Sequence, residues 1–93
     1  MKIQRDTVFR RNEDVVFAAL GDEGLTLNIQ TGMYHYLSDV GTRIWELLET
    51  PSSVAALSAG LVEEFEVDAD TCHAAVVDFI EKLADRGMVD VTP

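Results

Sequence analysis

Basic residues are scarce in this sequence, in which seven Lys and Arg stand against 17 Asp and Glu, for a formal net charge of −10. Such a chain repels nucleic-acid phosphates and anionic membranes and favours a basic partner. A single cysteine, Cys72, excludes an internal disulfide, so the fold does not depend on an oxidising compartment. No run approaches the ~18 apolar residues of a membrane span, and the N-terminus has no signal-peptide-like apolar segment. We therefore expect a cytoplasmic protein.

The length of 93 residues and the apolar fraction of 47% predict one globular domain spanning residues 1–93. Basic residues are concentrated at the N-terminus, where the first eleven positions include Lys2, Arg5, Arg10 and Arg11. This end could steer an acidic ligand, but basic terminal segments are more often disordered. We therefore expect a disordered basic tail there.

The segment that follows this tail has the composition of β-strands. Val15–Leu20 is rich in β-branched and apolar residues, and turn residues follow it at 21–24. Residues 25–29 alternate apolar and polar side chains, and residues 33–37 form an aromatic third strand after the turn at 30–32. Because turns this short join only antiparallel neighbours, these strands predict a three-stranded antiparallel meander.

The remaining sequence has apolar residues at intervals of three and four, the spacing of amphipathic helices. Pro51 and Gly87 are expected to end the first and last of three helices. The candidate N-caps are Ser38 or Asp39, then Ser52 or Ser53, then Asp68 or Asp70. Residues 88–91 are expected to form a short strand or a packed extension. The predicted fold is α+β and winged-helix-like, with a three-stranded antiparallel sheet followed by three helices.

Side chains able to carry catalysis are few. A metal site would have to join His35 to Cys72, His73 and a carboxylate such as Asp70. Adjacent helical residues point about 100° apart, so Cys72 and His73 chelate one ion poorly and cannot form a nucleophile pair. Nucleophile-elbow and phosphate-loop motifs are missing from the sequence. We therefore expect no enzymatic activity, no metal and no cofactor.

A winged-helix shape raises a DNA-binding regulator as an alternative. Recognition of DNA requires Lys and Arg on the helix that enters the groove. The predicted second helix contains neither, and the third has only Lys82 and Arg86 at its far end. We therefore expect no nucleic-acid partner.

The third predicted strand, residues 33–37, has one neighbour in the meander, so its other edge has unpaired N–H and C=O groups. Such an edge can accept an extended peptide as an extra strand, with specificity from pockets beside it. The long third helix could form one wall of such a pocket. The alternative is that Tyr34 and Tyr36 simply cover the sheet. An N–H of His35 is expected at this edge, so proline at that position should block strand addition.

The run from Thr31 to Leu48 resembles the PqqD-like family, whose signature joins the third strand to the first helix. The residues that carry the resemblance are Gly32, Tyr34, Leu37, Gly41, Ile44, Trp45, Leu47 and Leu48. Downstream, Pro51, the second helix and the segment from Phe79 to Val89 fit the same family, and the resemblance covers about residues 15–91. Ser38 stands where the family often has Asn, and both residues can cap a helix.

The resemblance implies a recognition element for ribosomally made, post-translationally modified peptides. In that family the leader segment of the precursor adds as a strand to the third strand and packs against the third helix. The implied binding residues here are Met33, Tyr34, His35, Tyr36, Leu37, His73, Val76, Val77 and Ile80. The implied partners are the leader and a leader peptidase or other modifying enzyme, as in split lasso-peptide systems. A peptide chaperone for pyrroloquinoline quinone or for a radical enzyme is the alternative, and the oligomeric state stays open.

Overall fold

Residues 3–92 are described by a computed structural model. The predicted meander is present as β2 (Val15–Leu20), β3 (Glu23–Asn28) and β4 (Tyr34–Leu37), in the order β2-β3-β4 and antiparallel throughout. Gly21 and Gly32 have φ values of +69° and +74° in the two connecting turns. Glycine adopts this left-handed conformation without the steric cost of a Cβ atom. The two tight turns therefore follow directly from the glycine positions.

Three helices follow the meander, with predicted residues at their N-caps. They are α1 (Asp39–Leu47), α2 (Val54–Phe65) and α3 (Ala69–Asp85). The capping side chains of Ser38, Ser53 and Asp68 accept hydrogen bonds from backbone N–H groups three residues ahead, at 3.3, 3.1 and 2.9 Å. Each bond satisfies one of the N–H groups that a helix start leaves without an intrahelical partner.

A second small sheet corrects the expectation of a disordered N-terminal tail for Val8–Arg11, whereas Lys2 lies outside the described residues. Its strands are β1 (Val8–Arg11), β5 (Ser52–Ser53) and β6 (Val89–Val91), in the order β5-β1-β6. The Phe9 side chain is fully buried, so the first strand is part of the core. Burial of one phenylalanine stabilises a fold by about 2–3 kcal/mol, which outweighs the charge pattern that favoured a free tail.

One hydrophobic core lies where the helices meet the two sheets. Its largest fully buried side chains include Phe9, Leu37, Trp45, Leu57 and Ile80. β6 follows α3 after Gly87, where a positive φ of 72° reverses the chain. Within the described residues, no helix is both long and apolar enough to cross a lipid bilayer.

Candidate peptide-binding site

Strand β4 lies at the edge of its sheet, as the sequence predicts. It pairs with β3 in the register Leu25 with Tyr36 and Leu27 with Tyr34. The C-terminal strand β6 could have filled the other side of β4, but it pairs with β1 in the second sheet. Within residues 3–92, the outer side of β4 therefore has no backbone partner.

The hydrogen-bond pattern shows which backbone groups of β4 face this open side. The Asn28 N–H donates to the Met33 carbonyl at 2.9 Å, and the Thr26 hydroxyl donates to the His35 carbonyl at 3.1 Å. Met33 and His35 thus point their backbone groups towards β3. In an antiparallel ladder these groups alternate in direction from residue to residue. The N–H and C=O groups of Tyr34 and Tyr36 therefore point to the open edge.

This alternation corrects the expectation for His35. Its N–H belongs to the ladder with β3, because His35 is opposite Thr26 in a hydrogen-bonded pair. Proline at His35 would break the sheet itself and would not report on edge pairing. Proline at Tyr36 removes an edge N–H and leaves the bonds to β3 in place.

A mostly apolar cavity of about 460 Å³ continues from the end of β4. Ser38, the residue directly after β4, lies at its rim together with the first turn of α1. The other walls come from α2, from the α2–α3 loop and from one face of α3. The lining residues outside α1 and its N-cap Ser38 are Leu61, Phe65, Val67, Thr71, Cys72, Ala75, Val76 and Phe79. The edge and the cavity together form a groove for an extended chain with at least one large apolar side chain.

The predicted residues of α3 divide between three environments. Val76 lines the cavity and is 1% exposed, whereas Ile80 is fully buried in the core and does not reach the cavity. Val77 is partly buried against the core and also lies outside the cavity lining. His73 lies in a second, more polar cavity that Arg5 helps to line, beside α2. The structure therefore brings only Val76 of these four to the groove.

Four α3 residues line the groove although the sequence did not single them out as binding residues, namely Thr71, Cys72, Ala75 and Phe79. The Phe79 ring packs edge-on against His35, with the ring centroids 6.2 Å apart, and so joins α3 to β4. A Cβ atom at Gly41 would lie 3.1 Å from the Phe79 ring, so glycine there permits close packing of α1 on α3. The sequence pattern from which this wall could have been predicted is the four-residue spacing of Ala75 and Phe79 together with Gly41.

The electrostatics of β4 differ between its two faces. Partial burial lowers the pKa of His35, and the positive charges of Arg86 and Lys82 lower it further, so the imidazole is neutral at pH 7. On the opposite face, the Glu23 carboxylate, as a hydrogen-bond acceptor for the phenol, raises the pKa of Tyr36. Both side chains are therefore uncharged near neutral pH, which suits a surface that binds a peptide backbone.

The residues considered for a metal site do not converge. His35 packs on Phe79, whereas the buried Cys72 directs its Sγ towards the Ser58 carbonyl at 3.7 Å. His73 faces the other cavity. Among residues 3–92, no group of three or more His, Cys, Asp and Glu side chains is placed to hold a metal ion.

Two solved structures share this fold. One, described as TbiB1 in complex with the TbiA(beta) leader peptide, is 33% identical in sequence with a TM-score of 0.81. The match covers 87% of this chain and 94% of that one. The other, a lasso peptide synthetase B1 complexed with the leader peptide, has 23% identity and a TM-score of 0.77, with coverage of 88% and 96%. The second likeness shows the fold alone.

Sequence comparison gives the family. A search of curated protein sequences found no match to this chain. The family model described as coenzyme PQQ synthesis protein D (PqqD) matches residues 23–89, which include the β3–β4 hairpin and all three helices. This match extends over more than half of the chain. The chain therefore belongs to the PqqD family.

Proposed function

We propose that this protein binds the leader segment of a ribosomally made precursor peptide and presents it to a separate modifying enzyme, without catalysing a reaction itself. The observation that carries the proposal is the open edge of β4 next to an apolar cavity. The likeness to a structure 33% identical in sequence that contains a leader peptide supports the same function. A single recognition domain, acting in the cytoplasm, is the form that we propose.

The leader binds as an additional antiparallel strand. The N–H and C=O groups of Tyr34 and Tyr36 supply its backbone hydrogen bonds, which are independent of leader sequence. One large apolar leader side chain enters the cavity next to Ser38 and Phe79. The cavity volume lies within the roughly 300–1,000 Å³ of small-ligand sites, which is enough room for a single anchor side chain.

The lasso-peptide type of pathway is the assignment that we favour, with a leader peptidase as the enzyme that receives the complex. The neighbour that is 33% identical in sequence is a leader-peptide complex by its description, and a protein described as a lasso peptide synthetase B1 has the same fold. A peptide chaperone for pyrroloquinoline quinone or for a radical enzyme would use the same edge and groove. Titration with leaders from each pathway type distinguishes these assignments, because the cognate leader should bind most tightly.

Strand addition is tested with two variants at one position. Tyr36→Pro removes the edge N–H, whereas Tyr36→Thr removes the aromatic ring and keeps the N–H and a β-branched side chain. We expect Tyr36→Pro to weaken binding of a labelled synthetic leader at least tenfold in fluorescence anisotropy, and Tyr36→Thr to weaken it far less. Circular dichroism verifies that both variants fold. Equal leader binding by the two folded variants would exclude pairing at this edge.

The alternative of a DNA-binding regulator predicts salt-sensitive binding to duplex DNA. The helix that would enter the groove offers no basic side chain, because α2 carries Glu63 and Glu64 and neither Lys nor Arg. A shift of a random duplex at low salt would favour the regulator over the peptide-binding function.

A further inference from the structure

The face of the β2–β4 sheet that points away from the helices is apolar and exposed. Side chains alternate between faces along each strand, and the buried residues Gly24, Thr26 and Asn28 of β3 mark the inner face. The opposite face, here called the outer face, consists of the apolar or aromatic side chains of Val16, Ala18, Leu20, Leu25, Leu27, Tyr34 and Tyr36, with the acidic Glu23 at one end of β3.

Six of these side chains form two continuous cross-strand rows, and Leu20 is opposite Glu23. Val16, Leu27 and Tyr34 are opposite one another in the first row, and Ala18, Leu25 and Tyr36 in the second. The exposed fractions are 53% for Val16, 56% for Leu20, 59% for Tyr34 and 54% for Tyr36. The solvated face of an antiparallel sheet is ordinarily polar, and monomeric soluble proteins seldom expose a contiguous apolar surface of this kind. The outer face therefore has the character of an interface.

The charges around the outer face indicate what can cover it. Residues 12–42, which include all three strands, contain five acidic residues and no Lys or Arg. They lie at the ends of the strands, namely at Glu13, Asp14, Asp22, Glu23 and Asp39. A second copy of this chain would bring like charges together, which costs several kcal/mol in an interface. A partner with an apolar patch bordered by Lys and Arg would complement both the apolar centre and the acidic border of the outer face.

The outer face is also continuous with the edge of β4. Tyr34 and Tyr36 present their side chains to the outer face and their backbone groups to the open edge. A strand added at that edge would place every second side chain on the outer face and widen it by one strand. A partner seated on the outer face would therefore contact the protein and its bound leader together.

We propose that the outer face docks a folded protein whose apolar patch is bordered by Lys and Arg, and that bound leader completes this docking surface. This inference rests on the proposed function, since the partner is the enzyme that processes the peptide. It adds a second binding surface, distinct from the groove, on the opposite side of the sheet.

The test uses the double variant Val16→Thr/Leu20→Thr, which makes β2 polar and keeps its β-propensity. Its leader affinity should stay within twofold of wild type, because β4 and the cavity are unchanged. Its affinity for the purified leader peptidase of the same pathway should fall at least tenfold, measured by biolayer interferometry with leader present. Val91→Thr is the matched control, because Val91 is 41% exposed but belongs to the other sheet.

A second variant, Asp22→Asn, tests the acidic border without altering the apolar rows. It should slow association with the peptidase and reduce the salt dependence of the association rate. Unchanged peptidase binding by both the double variant and Asp22→Asn would overturn the proposal. So would a wild-type dimer in light scattering that Val16→Thr/Leu20→Thr converts to a monomer. Failure of the wild-type protein to bind peptidase would also overturn it, and normal leader binding in the same sample would leave the leader-binding part of the proposed function intact.

Discussion

The Asn28 side chain donates a hydrogen bond of 2.8 Å from Nδ2 to the Gly87 carbonyl and so joins the end of β3 to the turn after α3. Its Oδ1 accepts from the N–H groups of Gln30 and Thr31 at 2.9 and 3.2 Å, which fixes the turn before β4. Asn28 is only 4% exposed. One buried amide therefore sets the position of β4 relative to the helices.

We expect Asn28→Ala to destabilise the protein by about 2–4 kcal/mol, because it removes three hydrogen bonds and leaves a carbonyl and two N–H groups without partners. Urea unfolding measures the change. Gln30→Ala is the control, since only the backbone of Gln30 takes part in these bonds, and it should change stability by less than about 0.5 kcal/mol. Equal stability of the two variants would show that the Asn28 side chain does not hold β4 in position relative to the helices.

Arg11 provides a second test of stability, in the segment whose basic charge pattern predicts a disordered tail. Its Nε donates to the Trp45 carbonyl at 3.0 Å, and the guanidinium carbon lies 4.9 Å from the centroid of the Trp45 ring. Arg11→Ala should cost about 1–2 kcal/mol and change the tryptophan emission. The exposed neighbour Arg10 serves as the control, and Arg10→Ala should leave both quantities near their wild-type values. If Arg11→Ala changed neither the stability nor the tryptophan emission, the contact between Arg11 and Trp45 would not hold β1 in place.

The groove wall is tested by adjacent alanines on α3. Ala75 lines the cavity and Ala74 does not, although both are exposed. Glutamine is a good helix former, so either substitution should leave the fold stable. We expect Ala75→Gln to weaken leader binding at least tenfold by filling the groove, and Ala74→Gln to leave it unchanged, in the same anisotropy titration. Similar affinities for both variants would place the leader elsewhere on α3.

The lowered pKa of His35 predicts a pH dependence of stability. The lowered pKa means that His35 binds a proton more weakly in the folded protein than in the unfolded chain. Protonation of the unfolded chain, which begins below about pH 6.5, therefore favours unfolding. Stability contributed by neutral His35 is therefore complete above that pH and is lost as the pH falls towards the folded pKa. Urea midpoints at pH 7.5 and 5.5 should differ more for wild type than for His35→Gln. The His73→Gln variant retains His35 and should retain the effect.

Much of the meander and helices was predictable because local residues determine them. Gly21 and Gly32 define the two tight turns, and Ser38, Ser53 and Asp68 cap the three helices as expected. Strand β1 was not predictable in the same way. Its pairing partners are remote in the sequence, and a four-residue strand with two arginines has the local pattern of a basic tail.

The site was predictable in part. The edge position of β4 follows from the order of the strands, but the direction of each N–H depends on the register with β3, which a sequence pattern does not specify. The apolar residues of α3 form two adjacent stripes along the helix. A rotation of the helix by one residue would exchange the stripe that faces the groove with the stripe that faces the core. Helical spacing in the sequence predicts Val77 and Ile80 at the groove, whereas the folded protein directs Ala75 and Phe79 there.

The pairing of β1 with β6 has a consequence for engineering. Thr92 donates to the Val8 carbonyl from both its N–H and its hydroxyl, at 2.9 and 3.1 Å, although the two residues are 84 positions apart. The start of β1 and Thr92, the residue after β6, are thus adjacent. A short linker could join them, and circular permutation could then open new termini at an exposed loop such as the one around Gln30, with the polypeptide path through the core unaltered.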